Sequence, residues 1–273
     1  MNRFFISVKE ALLEKKIILI ILGGVIGLLS YFIVYMIENM DLGAVEEIME
    51  MWPEEMREFF GDVESFTNPY GFWTLELLSF MWLYAGIYIV YMASTLLTRE
   101  VEEKTIDLSL SKPITRYNFL GSKIAFLYLF IVIALGVFFL ITMGGMASSE
   151  VFQDEGLYFD RLWLTYIIVI LYLGALAMFA KFFSTIFLSG RKAMALGIMI
   201  VFLMFFFGQF YVYMDEAVQD IKYISVFYYF NPADYIVHSD FTLFMRDFIV
   251  LGSVNAALIV GSLLIFNKKD IPI

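Results

Sequence analysis

The segment LTREVEEKTIDLSLSKPITRYNFLGSK, Leu97 to Lys123, separates two long apolar runs of a 273-residue chain that is 61% hydrophobic. It gathers Arg99, Lys104, Lys112, Arg116 and Lys123 with Glu100, Glu102, Glu103 and Asp107. The spacing predicts a short amphipathic helix. Glu100, Glu103, Lys104 and Asp107 fall within two turns, and Ile106 and Leu110 lie one turn apart. Glu100 and Lys104 form a favourable i,i+4 pair, and acids near the start suit the positive end of a helix. Pro113 is expected to stop this helix, and the turn Pro113–Arg116 leads into the next apolar run. A rigid charged knob at such a place is suited to docking another protein.

The rest of the chain explains where that knob sits. Mean hydropathy is +0.81, with 30 Phe and 17 Tyr. Soluble domains are about half apolar, so this composition points to an all-α, polytopic membrane protein. Six runs are long enough to cross a hydrocarbon core of about 30 Å: Ile17–Ile37, Phe72–Leu97, Phe119–Met143, Leu162–Phe187, Ala193–Met214 and Phe248–Phe266. They are continuous rather than alternating, which favours helices over barrel strands. Trp73, Trp163, Tyr211, Tyr213 and Lys268 mark their ends as interfacial residues do.

Charge gives the orientation. Of the 18 Lys and Arg, all but Arg57, Arg161, Lys222 and Arg246 fall on one side of this layout. By the positive-inside rule both termini are cytoplasmic, and the chain is placed in the cell membrane. The acids run the other way, most densely in the outer loop 38–71. Arg3–Glu14 aligns Phe4, Phe5, Val8, Ala11 and Leu12 on one face, which predicts an interfacial elbow helix within residues 1–16. The N-terminus does not read as a cleaved signal. Leu42–Gly61 repeats an amphipathic pattern through Val45, Ile48, Met49, Trp52, Met56 and Phe59, interrupted at Pro53. The segment 215–247 is aromatic but too broken to span, and is read as a short re-entrant pair on the outer side. One transmembrane domain therefore covers 1–273, with 98–118 as its cytoplasmic coupling segment.

At this point the motif itself carries a likeness. REVEEKTIDLSLSKPITRYNFLGSK resembles the hallmark of type-2 ABC transporter permeases, through Glu100, Thr105, Asp107, Leu108, Leu110, Ser111, Pro113, Ile114, Thr115, Arg116, Gly121 and Lys123. Lys104 stands where that family has Gly, and Ser122 separates Gly121 from Lys123. The six-span layout, the large first outer loop and Asn231-Pro232 before the last span extend the resemblance. It implies one half of a transport pathway. Two permease subunits pair as a homodimer or heterodimer, and each docks a separate cytoplasmic ATPase through the loop 98–118. It also implies export. ATP and Mg²⁺ are expected in that partner, because no G-x-x-x-x-G-K-[ST] occurs in this chain. No cofactor, catalytic group or metal site is expected here, nor any nucleic-acid partner.

Glu100, Glu103, Asp107 and Arg116 are the candidate docking residues, although exposed local pairs would account for the same charges. Glu76, about one turn inside the second run, is a candidate pathway residue by its depth or an interfacial one by its reach to water. Gln209 reads as pathway or packing. Gly23 and Gly27 form a small-x-x-x-small pattern for close helix packing. Met194, Met199 and Met204 suit an adaptable surface or ordinary packing. The chain has no Cys and one His, so His238 with Asp234 and Asp240 is a weak metal set. A stand-alone secondary transporter or channel is the alternative function. It predicts proline-broken spans and buried charges, and the sequence offers no proline in the six runs and almost no charge.

Overall fold

The computed structural model describes residues 3–53, 63–106 and 114–270. Among them no strand occurs, and six helices are long and apolar enough to cross a membrane. Span one is Arg3–Glu38, span two Pro69–Glu102 and span three Arg116–Ser148. Span four is Phe159–Phe187, span five Gly190–Gln209 and span six Phe241–Lys268.

Several ends differ from expectation for identifiable reasons. The amphipathic segment expected as a separate elbow continues into span one without a break, because no Gly or Pro interrupts the chain between Phe4 and Leu22. The resulting 36-residue helix is about 54 Å long at 1.5 Å per residue. Span two starts at Pro69, where Asn68 Oδ1 accepts from the amides of Tyr70 and Gly71 at 2.9 and 3.3 Å. It contains two π-helical stretches, Thr74–Leu78 and Trp82–Gly86. Span five stops at Gln209, short of the expected Met214, because Gly208 lies under a crossing segment. A Cβ there would meet Ser225 Oγ at 2.5 Å. Span six begins at Phe241, seven residues earlier than expected, with Asp240 Oδ1 accepting from the Leu243 amide at 2.9 Å.

Spans one and three pack closely and run in the same direction. Contacts advance together along both, from Phe4 beside Gly121, through Gly23 against Ala134 and Gly27 against Ile141, to Tyr31 against Gly145. Spans four and six also run parallel, with Gly174 beside Asn255 and Phe182 beside Gly261. The chain start, residues 97–106 and 114–123, residues 186–192 and the chain end therefore meet at one end of the bundle, which carries most of the described Lys and Arg. The other end is acidic. Glu38 accepts there from the Glu150 amide at 3.2 Å, and Asn68 donates to Glu155 at 2.7 Å.

Polar ties set the bundle interior. Trp73 Nε1 and Thr142 Oγ1 both donate to Ser30 Oγ, at 2.8 and 2.7 Å, joining spans one, two and three. Asn255 donates to Leu171 O at 2.9 Å and accepts from the Tyr128 hydroxyl, joining spans six, four and three.

Between spans five and six the chain folds as 3₁₀ helices, Tyr211–Tyr213, Glu216–Ile224 and Val226–Tyr229, followed by the short helix Pro232–Ile236. Val226, Phe227 and Phe230 are buried. Phe230 stacks on Tyr172 of span four at 4.2 Å and 3°, and Phe227 meets Trp82 of span two at 5.9 Å. Tyr172 lies about 20 Å along span four from its acidic end at 1.5 Å per residue. The stretch Val226–Phe230 of this connection thus sits well inside the bundle. The sequence expectation of helix across Leu42–Gly61 is met over Leu42–Glu50; Met56 and Phe59 lie outside the described residues.

Gly23 tests the packing of spans one and three, because a Cβ there would fall 2.3 Å from the Ala134 carbonyl oxygen. Gly23→Ala is expected to lower stability by about 1–3 kcal/mol. Gly24→Ala, with open space around it, is expected to be neutral or stabilising by up to about 1 kcal/mol. Thermal unfolding of the two variants in detergent micelles checks the contrast.

Candidate functional site

The motif at the basic end begins where span two stops. The helix ends at Glu102, and Glu103 caps it. Lys104 takes a left-handed backbone with φ 55°. The Thr105 amide reaches back to Glu100 O at 2.9 Å, and the Lys104 amide reaches Val101 O at 3.1 Å. This paired closure satisfies carbonyls that a helix end leaves open, and its left-handed position ordinarily takes glycine. Lys104 occupies the site at which the resembled motif has Gly, so a side chain is held in glycine's conformation. The sequence expectation of one helix from Glu100 to Pro113 is corrected here. The first break falls at Lys104, so Glu100 and Lys104 do not share a helical face. Asp107 and Pro113 lie outside the described residues.

The charged residues around this break join five spans. Glu100 turns inward and forms an ion pair with Lys123 of span three. Lys123 also sits over the Phe119 ring at 4.9 Å. Glu102 Oε1 accepts from the Gly190 amide at 2.9 Å, which meets the open N-terminus of span five. Gly190 is required there, since a Cβ would lie 2.9 Å from Thr98 Oγ1. Glu103 stays on the surface and pairs with Arg99 at 2.7 Å. Thr115 starts span three by accepting from the Asn118 amide at 3.2 Å. Arg116 Nη1 donates to Lys269 O at 2.7 Å and Asn267 O at 3.3 Å, a cation on the negative end of span six. Lys269 Nζ in turn donates to Ile186 O at 2.8 Å, at the end of span four. Glu100, Arg116 and the unforeseen Glu102 thus bind span ends together, and Glu103 is the exposed acid of the set.

The charge split sets Lys181 among the cations flanking the spans, yet the structure places it wholly in the interior. Its side chain is 0% exposed and, among the described residues, its ammonium nitrogen has no hydrogen-bond partner. Asp247 of span six is likewise 0% exposed. The reading that buried charge is nearly absent is corrected by these two residues. Asp247 is satisfied: it accepts from Tyr235 Oη at 2.5 Å, Asn231 Nδ2 at 3.0 Å and Arg246 Nε at 2.7 Å. Burial, reinforced by the Asp247 charge, raises the Tyr235 phenol above its ordinary range, so it remains a donor. Nearby, Arg161 stacks on Tyr158 at 4.0 Å and donates to Ile236 O at 2.6 Å. No motif spacing announces these partners, because the irregular connection before span six, and not a helical repeat, brings Asn231 and Tyr235 to Asp247.

The remaining candidates are scattered. Glu76 is exposed on the first π-helical stretch of span two. Gln209 is half-buried at the last position of span five. His238 is exposed, and among the described residues no group of three metal-ligating side chains forms.

Two substitutions probe the basic end directly. Lys104→Gly is expected to raise stability by about 0.5–1 kcal/mol by releasing the left-handed strain. Lys181→Met, which keeps the volume and removes the unpartnered amine, is expected to stabilise by about 1–4 kcal/mol. Both are read as shifts in the thermal unfolding midpoint of the purified chain.

Comparison with known proteins places this arrangement. The profile of the ABC-2 family transporter proteins matches residues 10–271, nearly the whole chain. No curated protein matches the chain, and no solved structure does. The matched region contains span one from Glu10 onward, the other five spans, the inward-turned Glu100 and the span-joining contacts at the basic end. The chain belongs to the ABC-2 family of transporter proteins.

Proposed function

We propose that this chain is the membrane-spanning permease of an ATP-driven exporter, that two permease chains form the pathway, and that a separate ATPase docks at residues 98–118. The basic end is the cytoplasmic end in this reading, with both termini there, and the cell membrane is its site. Family membership supports the permease assignment. The observation that carries the coupling is the linkage at the basic end. Glu100 ties span two to span three, Glu102 ties span two to span five, and Arg116 with Lys269 ties spans three, six and four. A push on the loop between spans two and three therefore reaches the other span ends as a rigid-body displacement.

Within this reading Glu103 is the docking acid that faces outward, and Asp107 completes the docking surface. Glu100 and Arg116 act as positioning residues that hold the surface on the bundle. Glu76 lies on the exposed face of span two, where a second permease chain would place it beside the pathway, and Gln209 belongs to the outer rim of that pathway. Of the segment 215–247, the part before span six, 215–240, is a re-entrant segment of the outer side that packs against spans two, four and five. ATP and Mg²⁺ belong to the partner, because this sequence has no phosphate-cradling loop.

Two experiments test the reading. The chain is expected to co-purify with an ATPase that carries a phosphate loop; a permease that purifies with none overturns the assignment. Glu100→Ala with Glu103→Ala is expected to lower transport-coupled ATP turnover about tenfold or more while membrane insertion stays normal. Lys123→Ala is expected to uncouple similarly, and the exchanged pair Glu100→Lys with Lys123→Glu to recover part of the loss. Rescue by the exchanged pair identifies a clamp, whereas sensitivity at position 100 alone identifies direct docking.

A further inference from the structure

Lys222 is held by aromatic rings. Its ammonium lies 4.3 Å from the centroid of Tyr211, 5.3 Å from Tyr228 and 5.4 Å from Tyr223. Tyr211 and Tyr223 stand on Tyr228 at 83° and 88°, with centroids 5.9 and 5.2 Å apart. The three rings are walls of a box, and the ammonium sits where their electron-rich faces converge. The chain holds 28 acids, and Glu216 and Asp220 lie on the same 3₁₀ helix as Lys222. Even so, among the described residues no carboxylate lies within salt-bridge distance of Lys222.

The walls are fixed without the lysine. Tyr229 Oη donates to Tyr223 O at 3.3 Å, and Ser225 Oγ donates to Met204 O at 2.5 Å. Arg246 covers Tyr228 at 5.3 Å and Tyr229 at 5.5 Å, while its Nε is held by Asp247. The box is therefore a built feature joining the connection 211–229 to span six.

A primary ammonium is a poor match for such walls. It is strongly hydrated and carries three N–H donors, which ring faces satisfy less well than water. A quaternary ammonium has the same charge, no donors and more apolar surface, so it is the better occupant of an aromatic box. Beside the box, Val218, Tyr223 and Ile224 present exposed apolar surface suited to an alkyl chain. Arg246, on the neighbouring ring, offers a positive charge to a phosphate one group away.

We propose that Tyr211, Tyr223 and Tyr228 form a binding site for a quaternary ammonium group, plugged by Lys222 and opened when that side chain swings out. The group belongs either to a phosphocholine headgroup or to a simple alkylammonium cation. This site is independent of the coupling reading, and its test uses no ATPase.

The test uses the purified full-length chain in maltoside micelles. Saturation-transfer NMR follows the N-methyl signals of tetramethylammonium and of phosphocholine. Transfer to N-methyl protons is expected for the unaltered chain, with methylammonium competing weakly. Lys222→Ala is expected to tighten binding about two- to thirtyfold by removing the internal competitor. Tyr228→Leu and, separately, Tyr211→Leu are expected to abolish it in the Lys222→Ala background, with unfolding midpoints confirming that each variant is folded. Tighter binding of phosphocholine than of tetramethylammonium assigns the headgroup, and equal binding assigns the alkyl cation. Binding that ignores Lys222, or that survives either tyrosine substitution, overturns the site.

Discussion

A backbone amide or carbonyl inside lipid has no water to bond with, and each one left unpaired there costs several kcal/mol. The architecture of this protein follows from that constraint. The six membrane-length elements are helices, and where regular α-geometry slips in span two the backbone keeps its bonds in π form, as in Ser79 N to Thr74 O at 3.0 Å. The non-helical connection before span six enters the bundle only where protein encloses it. Ser225 shows how: its amide bonds to Lys222 O, and its hydroxyl accepts from the Phe227 amide at 3.1 Å while donating to span five.

Once helices are imposed, apolar contact does not choose between partners, because lipid tails are as apolar as leucine. Close approach and polar ties make the choice. Glycines at 23 and 27 let span one lie against span three, and Ser30, Trp73 and Thr142 lock a third helix onto that pair. Asn255 does the same for spans three, four and six. At the acidic end Asp247 draws together Asn231, Tyr235 and Arg246. At the basic end the ties are charged and nearer the surface, with Glu100 and Lys123 only part-exposed at 29% and 14%. Contacts of that kind are weaker and more easily exchanged than a fully buried network.

Lys104 and Lys181 stand apart from this pattern of local agreement. One is a side chain in a glycine conformation at the break after span two, and the other an interior amine with no hydrogen-bond partner among the described residues. Both lie at the basic end, where the family motif also lies. Local cost tends to collect at sites that move or bind.

The helical class, the six spans and the uneven charge of the two ends were legible in the sequence, because each depends on composition summed over about 20 residues. The family likeness was legible in Leu97–Lys123 for a related reason: its residues are adjacent in the chain. Which acid faces outward was not legible. Glu100, Glu102 and Glu103 are near neighbours, and only the approach of Lys123, Gly190 and Arg99 separates their roles. The burial of Lys181 and Asp247, the early stop at Lys104 and the tyrosine box around Lys222 were equally hidden. The stop at Lys104 is a local backbone closure at a residue other than glycine, whereas the two burials and the ring box depend on packing, and helical periodicity says which face a residue occupies but not what will be packed against it.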